Sequence, residues 1–273
     1  MMRLVVCLLA VTALQGAQGP RVFIVTDMEG VGGVHNWDEQ ATVGQRRFEE
    51  SRRLLTGEVN AAIEGALEAG AAEVAVWDGH DGSRTLSVED LHAGARLIQG
   101  PRTPPDFYLA DRRYEGILFV GQHAKAGTAN GLMAHSQNLT VKDITINGRS
   151  VGELGQAAAI AGHFKIPVIM LTGDQAACDE MLTLQPKAET VAVKQFVGRG
   201  SALSLVHADA KALIRGAARR AVARIREFQP WIVEGPVEMR FEFLPDKTGA
   251  VPPARVYRGQ TVLECFEQWL GKR

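Results

Sequence analysis

Aromatic side chains are scarce in this 273-residue chain, at 6%. That is too few to supply stacking platforms for nucleic-acid bases. An excess of either charge is also missing: 30 Lys and Arg stand against 31 Asp and Glu, a formal net charge of -1. Such a surface has neither a basic field for a phosphate backbone nor an acidic solvating tail. Cysteine occurs three times. Cys7 lies in an N-terminal apolar run, while "DQAACDEML" and "LECFEQWL" put Cys178 and Cys265 in helix-like contexts. Buried free thiols are expected there, although a single bridge stays open in an oxidising compartment. Long apolar runs are missing too. Leu4–Leu14 is too short for a permanent span, and no other stretch approaches membrane length, so no membrane partner is expected.

What is present begins with a leader. "MMRLVVCLLAVTALQGAQGP" has one Arg3, then the apolar run, then the small residues Gly16, Ala17 and Gly19. This is the layout of a secretory signal peptide over 1–19, cut near Ala17 or Gly19, and it predicts a periplasmic or extracellular protein. Residues 20–273 are the body, with a small C-terminal portion at 229–273 set off by "FQPWIVEGP". At 46% hydrophobic and 22% charged, the chain can bury a large core.

Strand and helix patterns alternate. Strands are expected at 21–26, 72–78, 95–100, 116–121, 141–148 (ending in an Asn-Gly turn), 167–174 and 189–195. Helices are expected at 38–70, 151–164, 175–182 and 208–228, and "VEMRFEF" then "TVLECFEQWL" close the chain as strand and helix. In the first helix Leu54, Leu55, Val59, Ala62, Ile63 and Ala66 recur at spacings of three and four, and Gly70 is a plausible stop. This alternation predicts an α/β fold with a mostly parallel sheet covered on both faces.

In such sheets, sites form beyond the carboxyl ends of the strands. Asp27 and Glu29 follow the first strand, Asp78 and His80 the second, and His123 the fourth. Asp27 and Glu29 are one residue apart, so in extended chain they point to the same side. Burying both without a counter-charge is costly, and a divalent cation between them removes the cost. His80 and His123 are nitrogen donors of the kind zinc accepts. Glu153 opens the 151–164 helix between Gly152 and Gly155. Three carboxylates and two imidazoles suit a pair of divalent ions that activates water. Each residue also has a plain reading: Asp27 as a cap, His80 as a solvated loop residue, Glu153 as a charge favoured by the helix dipole. His135, in "NGLMAHSQN", could be a surface histidine. Beside metals it could act as base, nucleophile or oxyanion partner. His35, His92, His163 and His207 have no comparable context.

Taken in order and spacing, "DMEG", "DGH", "GQHAKAGTANGLMAHS", "VGELGQAA" and "VAVKQ" resemble the M55 metallopeptidases, from about Val22 to the C-terminus. The resemblance implies a three-layer α/β/α sandwich and a zinc aminopeptidase with two Zn2+ per subunit. By matched motif, Asp27 would bridge both ions, Glu29 and His123 would complete one site, and His80 and Glu153 the other. His135 would be the catalytic histidine. It also implies a homo-oligomer, a decamer in the family's prototype, acting on short peptides including those with an N-terminal D-residue. The competing expectations are a metal-dependent hydrolase of another bond, an amidase or a phosphoesterase, and an exported binding protein with a structural metal site. The chain has no P-loop and no Lys/Arg cluster near these residues, which counts against phosphate substrates.

Overall fold

The computed structural model describes residues 19–100 and 114–271. The expected leader, apart from Gly19, lies outside the described residues, and Cys7 with it.

The core begins with β1 (Arg21–Thr26), buried from Val22 onward. Its alternation feeds two separate hydrophobic clusters. Val22 and Ile24 pack on one side with Leu55, Val59, Ala210 and Ile214. Phe23 and Val25 pack on the other with Ala158, Ala177 and Phe241. A strand buried on both faces belongs in the middle of a parallel sheet, and β1 is there. The large sheet runs β3-β2-β1-β4-β7-β8-β9, built from β2 (Glu73–Trp77), β3 (Ala95–Ile98), β4 (Gly116–Gln122), β7 (Val168–Asp174), β8 (Glu189–Gly198) and β9 (Ser201–Ser204). β1 pairs in parallel with β2 and β4, and only the β8–β9 pair is antiparallel. Helices α1 (Phe48–Glu68) and α4 (His207–Ala223) cover the first face. Helices α2 (Glu153–His163) and α3 (Gln175–Leu184) cover the second. The result is the three-layer α/β/α sandwich with a mostly parallel sheet.

A smaller antiparallel sheet lies against the second face, in the order β11-β10-β5-β6. It joins β5 (Val141–Ile146) and β6 (Arg149–Ser150) to β10 (Val237–Phe243) and β11 (Arg255–Gly259), backed by α5 (Val262–Leu270). The expected Asn-Gly turn links β5 to β6, with Asn147 at φ 48° and Gly148 at φ 78°, the left-handed pair of a primed hairpin turn. The C-terminal strands therefore share a sheet with the middle of the chain.

The first helix departs from its expected 38–70 span. A π-helical turn, Trp37–Ala41, comes first, and α1 starts at Phe48. Gly44, at φ 87°, interrupts the two, a conformation that costs glycine little. Cys178 and Cys265 are buried and free. Among the described residues no helix is long and apolar enough to cross a membrane.

Candidate metal centre

The loop after β1 is fastened to the end of β4: the Asp27 amide donates to the Val120 carbonyl (2.9 Å) and the Gly30 amide to Gly121 (2.8 Å). The approach is so close that a Cβ on Gly30 would sit 1.9 Å from the Gln122 carbonyl oxygen, and one on Gly121 2.1 Å from that of Asp27. Gly121 also has φ 80°. These two glycines let the ends of β1 and β4 meet, bringing Asp27 and Glu29 to His123. After β2, buried Asp78 accepts the amides of Thr85 (2.8 Å) and Leu86 (2.9 Å) and so folds the loop that carries His80. Asp78 shapes that loop from within the core.

All six candidate residues come together. His80 Nδ1 lies 3.1 Å from Asp27 Oδ1 and 3.0 Å from Glu29 Oε2. His123 Nε2 is 3.3 Å from Asp27 Oδ2 and 3.7 Å from Glu153 Oε1. His135 Nε2 is 3.4 Å from the same Glu153 oxygen, and its ring stacks on His123 at 4.0 Å. The Trp37 ring meets that of His135 nearly perpendicularly, with centroids 4.9 Å apart. Asp27, Glu29, His80 and His123 are buried.

Asp27, Glu29 and His123 each offer a ligand atom within 4.8 Å of the others, as do His123, His135 and Glu153. The first set matches the expected division of ligands. His80 sits against Asp27 and Glu29, while Glu153 sits with His123 and His135. His80 comes from β2 and His123 from β4, on opposite sides of β1.

Each imidazole is tethered by its other nitrogen to a backbone carbonyl: His80 Nε2 to Ala41 (2.7 Å), His123 Nδ1 to Ala124 (2.9 Å) and His135 Nδ1 to Met133 (3.0 Å). A carbonyl only accepts, so the proton of each neutral ring is held there and a lone pair faces the carboxylates. Lone pairs aimed at carboxylate oxygens repel. Buried Glu29 Oε2 and His123 Nε2 have no hydrogen-bond partner, because their near approaches lack hydrogen-bond geometry. Divalent cations among these donors would satisfy both atoms, so the residues fit a metal.

Without cations, protons must take that role. Burial works against charge on both buried rings, yet the carboxylates prevail: Glu29 and Asp27 hold His80 well above the usual imidazole range, and Asp27 carries His123 to about 10. Burial alone would raise Asp27, but His123 and His80 hold it well below the carboxylate range. Burial raises Glu29 and Glu153, the former helped by the charge of Asp27. His135 is lowered by burial and by the charge of His123.

Further carboxylates that the sequence did not single out hold the frame. Glu180, on α3, accepts the amides of Lys125 (2.9 Å) and Gly152 (3.2 Å), joining the chain just after His123 to the chain just before Glu153. Asp174 caps α3 through Ala177 (2.7 Å) and accepts the amide of Leu132 (3.1 Å) in the His135 loop. Glu58 carried a visible signal. It falls on the apolar stripe Leu55–Val59–Ala62 of α1, where a carboxylate must be buried.

A three-layer, mostly parallel fold with such donors beyond its strand ends defines a candidate metal-binding α/β protein. The family follows from similarity. A model described as "Peptidase_M55: D-aminopeptidase" matches residues 21–262. The chain is 38% identical to the D-aminopeptidase of Bacillus subtilis (strain 168) over 195 residues, 71% of this chain and 70% of that protein. It is also similar to a solved structure, the "Zn-dependent D-aminopeptidase DppA from Bacillus subtilis, a self-compartmentalizing protease", with a TM-score of 0.80 and 31% identity, covering 92% of this chain and 95% of that one. The chain belongs to the M55 peptidase family.

Proposed function

We propose that the protein is a zinc aminopeptidase holding two zinc ions per subunit, and that it removes the N-terminal residue of short peptides, D-residues among them. The observation that carries this reading is the set of lone pairs and carboxylate oxygens turned toward one another, with Glu29 Oε2 and His123 Nε2 unpartnered. Asp27 stands between the two groups, within reach of His80 through Oδ1 and of His123 through Oδ2, which suits a bridging ligand. By the family resemblance Glu29 and His123, which lie within 4.8 Å of each other and of Asp27, would hold one ion with it, and His80 and Glu153 the other. When bound, the pair polarises the scissile carbonyl and activates water.

His135 approaches Glu153 through Nε2 (3.4 Å). Met133 fixes one ring nitrogen and the other faces the site. Its lowered pKa keeps it neutral, and so able to take a proton, near neutral pH. It is the catalytic histidine of this reading. Met133 takes the left-handed φ of 59°, a strain that a bulky residue keeps where the surroundings impose it. Trp37, against His135, would wall the mouth and limit access of solvent.

We also assign export to the leader at 1–19 and a homo-oligomer, a decamer by family resemblance, to the mature chain. The self-compartmentalizing character of the solved relative supports assembly. A matched panel of D- and L-aminoacyl anilides and short peptides, with phosphate esters as the competing class, tests the function, with zinc measured on the same sample. Chelator-sensitive release of N-terminal residues is expected. Turnover of phosphate esters alone would overturn the peptidase reading.

A further inference from the structure

Behind the centre, β8 delivers Lys194 into the interior, 2% exposed. Its ammonium donates to three backbone carbonyls of one short loop, those of Glu29, Val31 (3.1 Å) and Val34. The intervening Gly32 amide donates to Glu58 Oε1 at 2.9 Å, and Glu58 is itself fully buried. Loop 29–34 is thus wrapped around an internal cation and pinned on its amide side by a buried carboxylate. Converging carbonyls repel one another and, inside a core, need donors. A lysine with three donors on a long stem meets that need, joined at the Val31 carbonyl by the Val34 amide (3.1 Å). One of the three acceptors is the carbonyl of Glu29, whose carboxylate faces Asp27 and His80. Fixing that carbonyl fixes the origin from which the side chain reaches the metal centre.

We infer that Lys194 is a positioning residue for the zinc site that contains Glu29, holding the ligand loop in its binding shape before metal arrives. This rests on the reading of Glu29 as a ligand. Lys194 supplies inside the fold the cation that its own loop requires, and so the loop does not depend on zinc for its shape. The buried charge is balanced by Glu58 and Asp174, which lie near it. A second role follows for Glu58, which balances Lys194 and holds the Gly32 amide. It is expected to matter for stability more than for zinc.

The test is zinc content of the full-length protein during titration with a chelator, for wild type, Glu29→Ala, Lys194→Met and the double variant Lys194→Met/Glu58→Gln. Lys194→Met should weaken one of two zinc ions by about tenfold to a hundredfold and leave the other as in wild type, in the same pattern as Glu29→Ala. The double variant restores charge balance but not the three donors, so it should regain thermal stability without regaining zinc. Recovery of zinc binding in the double variant would show that Lys194 acts through charge balance alone and would overturn the inference. So would Lys194→Met binding both ions at wild-type strength while Glu29→Ala loses one. If Glu29→Ala keeps both ions, the ligand reading itself fails. Should Lys194→Met not fold, hydrogen exchange on chelator-stripped wild type decides the matter. A peptide spanning 28–35 is expected to exchange slowly, and exchange at the rate of an unstructured peptide would sink the proposal.

Discussion

Two buried groups of ionisable residues share the carboxyl end of this sheet, and they solve the same electrostatic problem in opposite ways. The rear group, Lys194 with Glu58 and Asp174, contains its own cation. Lys194 is spent on carbonyls, and Glu58 and Asp174 accept backbone amides. The front group, Asp27, Glu29, His80, His123 and Glu153, has no such internal cation and turns carboxylate oxygens and imidazole nitrogens toward one another; a buried oxygen goes without a hydrogen bond in each group, Glu29 Oε2 in front and Glu58 Oε2 behind. The closed group serves shape. The open group offers donor sets of the kind that hold a cation, and that difference supports the reading of it as the metal site.

The largest effect should come from removing the residue shared by both halves of the front group. Asp27→Ala is expected to deplete both zinc ions and abolish peptide hydrolysis. Metal analysis that still found two ions per chain would refute a bridging role. Next in size is His135→Ala, which should keep its zinc and lose about 10²–10⁴-fold in rate, the usual contribution of a general base. Full activity would remove His135 from the mechanism.

A third experiment addresses the protons of the front group. With His123 carried to about 10 when no cation is present, its ring is protonated at neutral pH. Zinc must displace that proton, so affinity should rise with pH by up to about tenfold per unit for each proton released. Calorimetric reloading of stripped protein in buffers of different ionisation enthalpy measures the release. A binding heat independent of buffer would contradict it.

The smallest effect belongs to the rear group. Burial raises Glu58 from 4.5 to about 7, against the pull of the Gly32 amide and Lys194. The folded state therefore holds the proton more tightly than the unfolded chain. Between pH 4.5 and 7 stability falls as pH rises, by on the order of 2 kcal/mol, and above that window this contribution is flat. Glu58→Gln should remove that part of the slope in urea melts at pH 5 and pH 7. An unchanged slope would place the titration elsewhere.

The front group was legible because parallel strands put their carboxyl ends on one edge. Asp27, His80 and His123 each follow an apolar run, and the edge rule brings them together without further knowledge. The rear group was not. Lys194 sits near the end of "VAVKQ", where a charge is ordinary, and only the tertiary path of loop 29–34 gives it three acceptors. Glu180 likewise reads as a surface residue of a short helix until Lys125 and Gly152 are seen at its oxygens. Among the elements, the central strands stood out through continuous burial. β9 and β11 are short and half-exposed, without the apolar run that marks a strand. The pairing of β5 with β10 joins residue 146 to residue 239, beyond what local pattern can carry.

That last pairing bears on how the protein is made. A nascent chain presents every proposed zinc ligand by residue 153, yet Val141, Ile144 and Ile146 wait for Met239, Phe241 and Phe266 to cover them. From the synthesis of Ile146 to that of Met239, β5 has only the short β6 paired beside it and lacks β10. It is the segment where holdase chaperones would bind and where stalled or truncated chains would stick to one another.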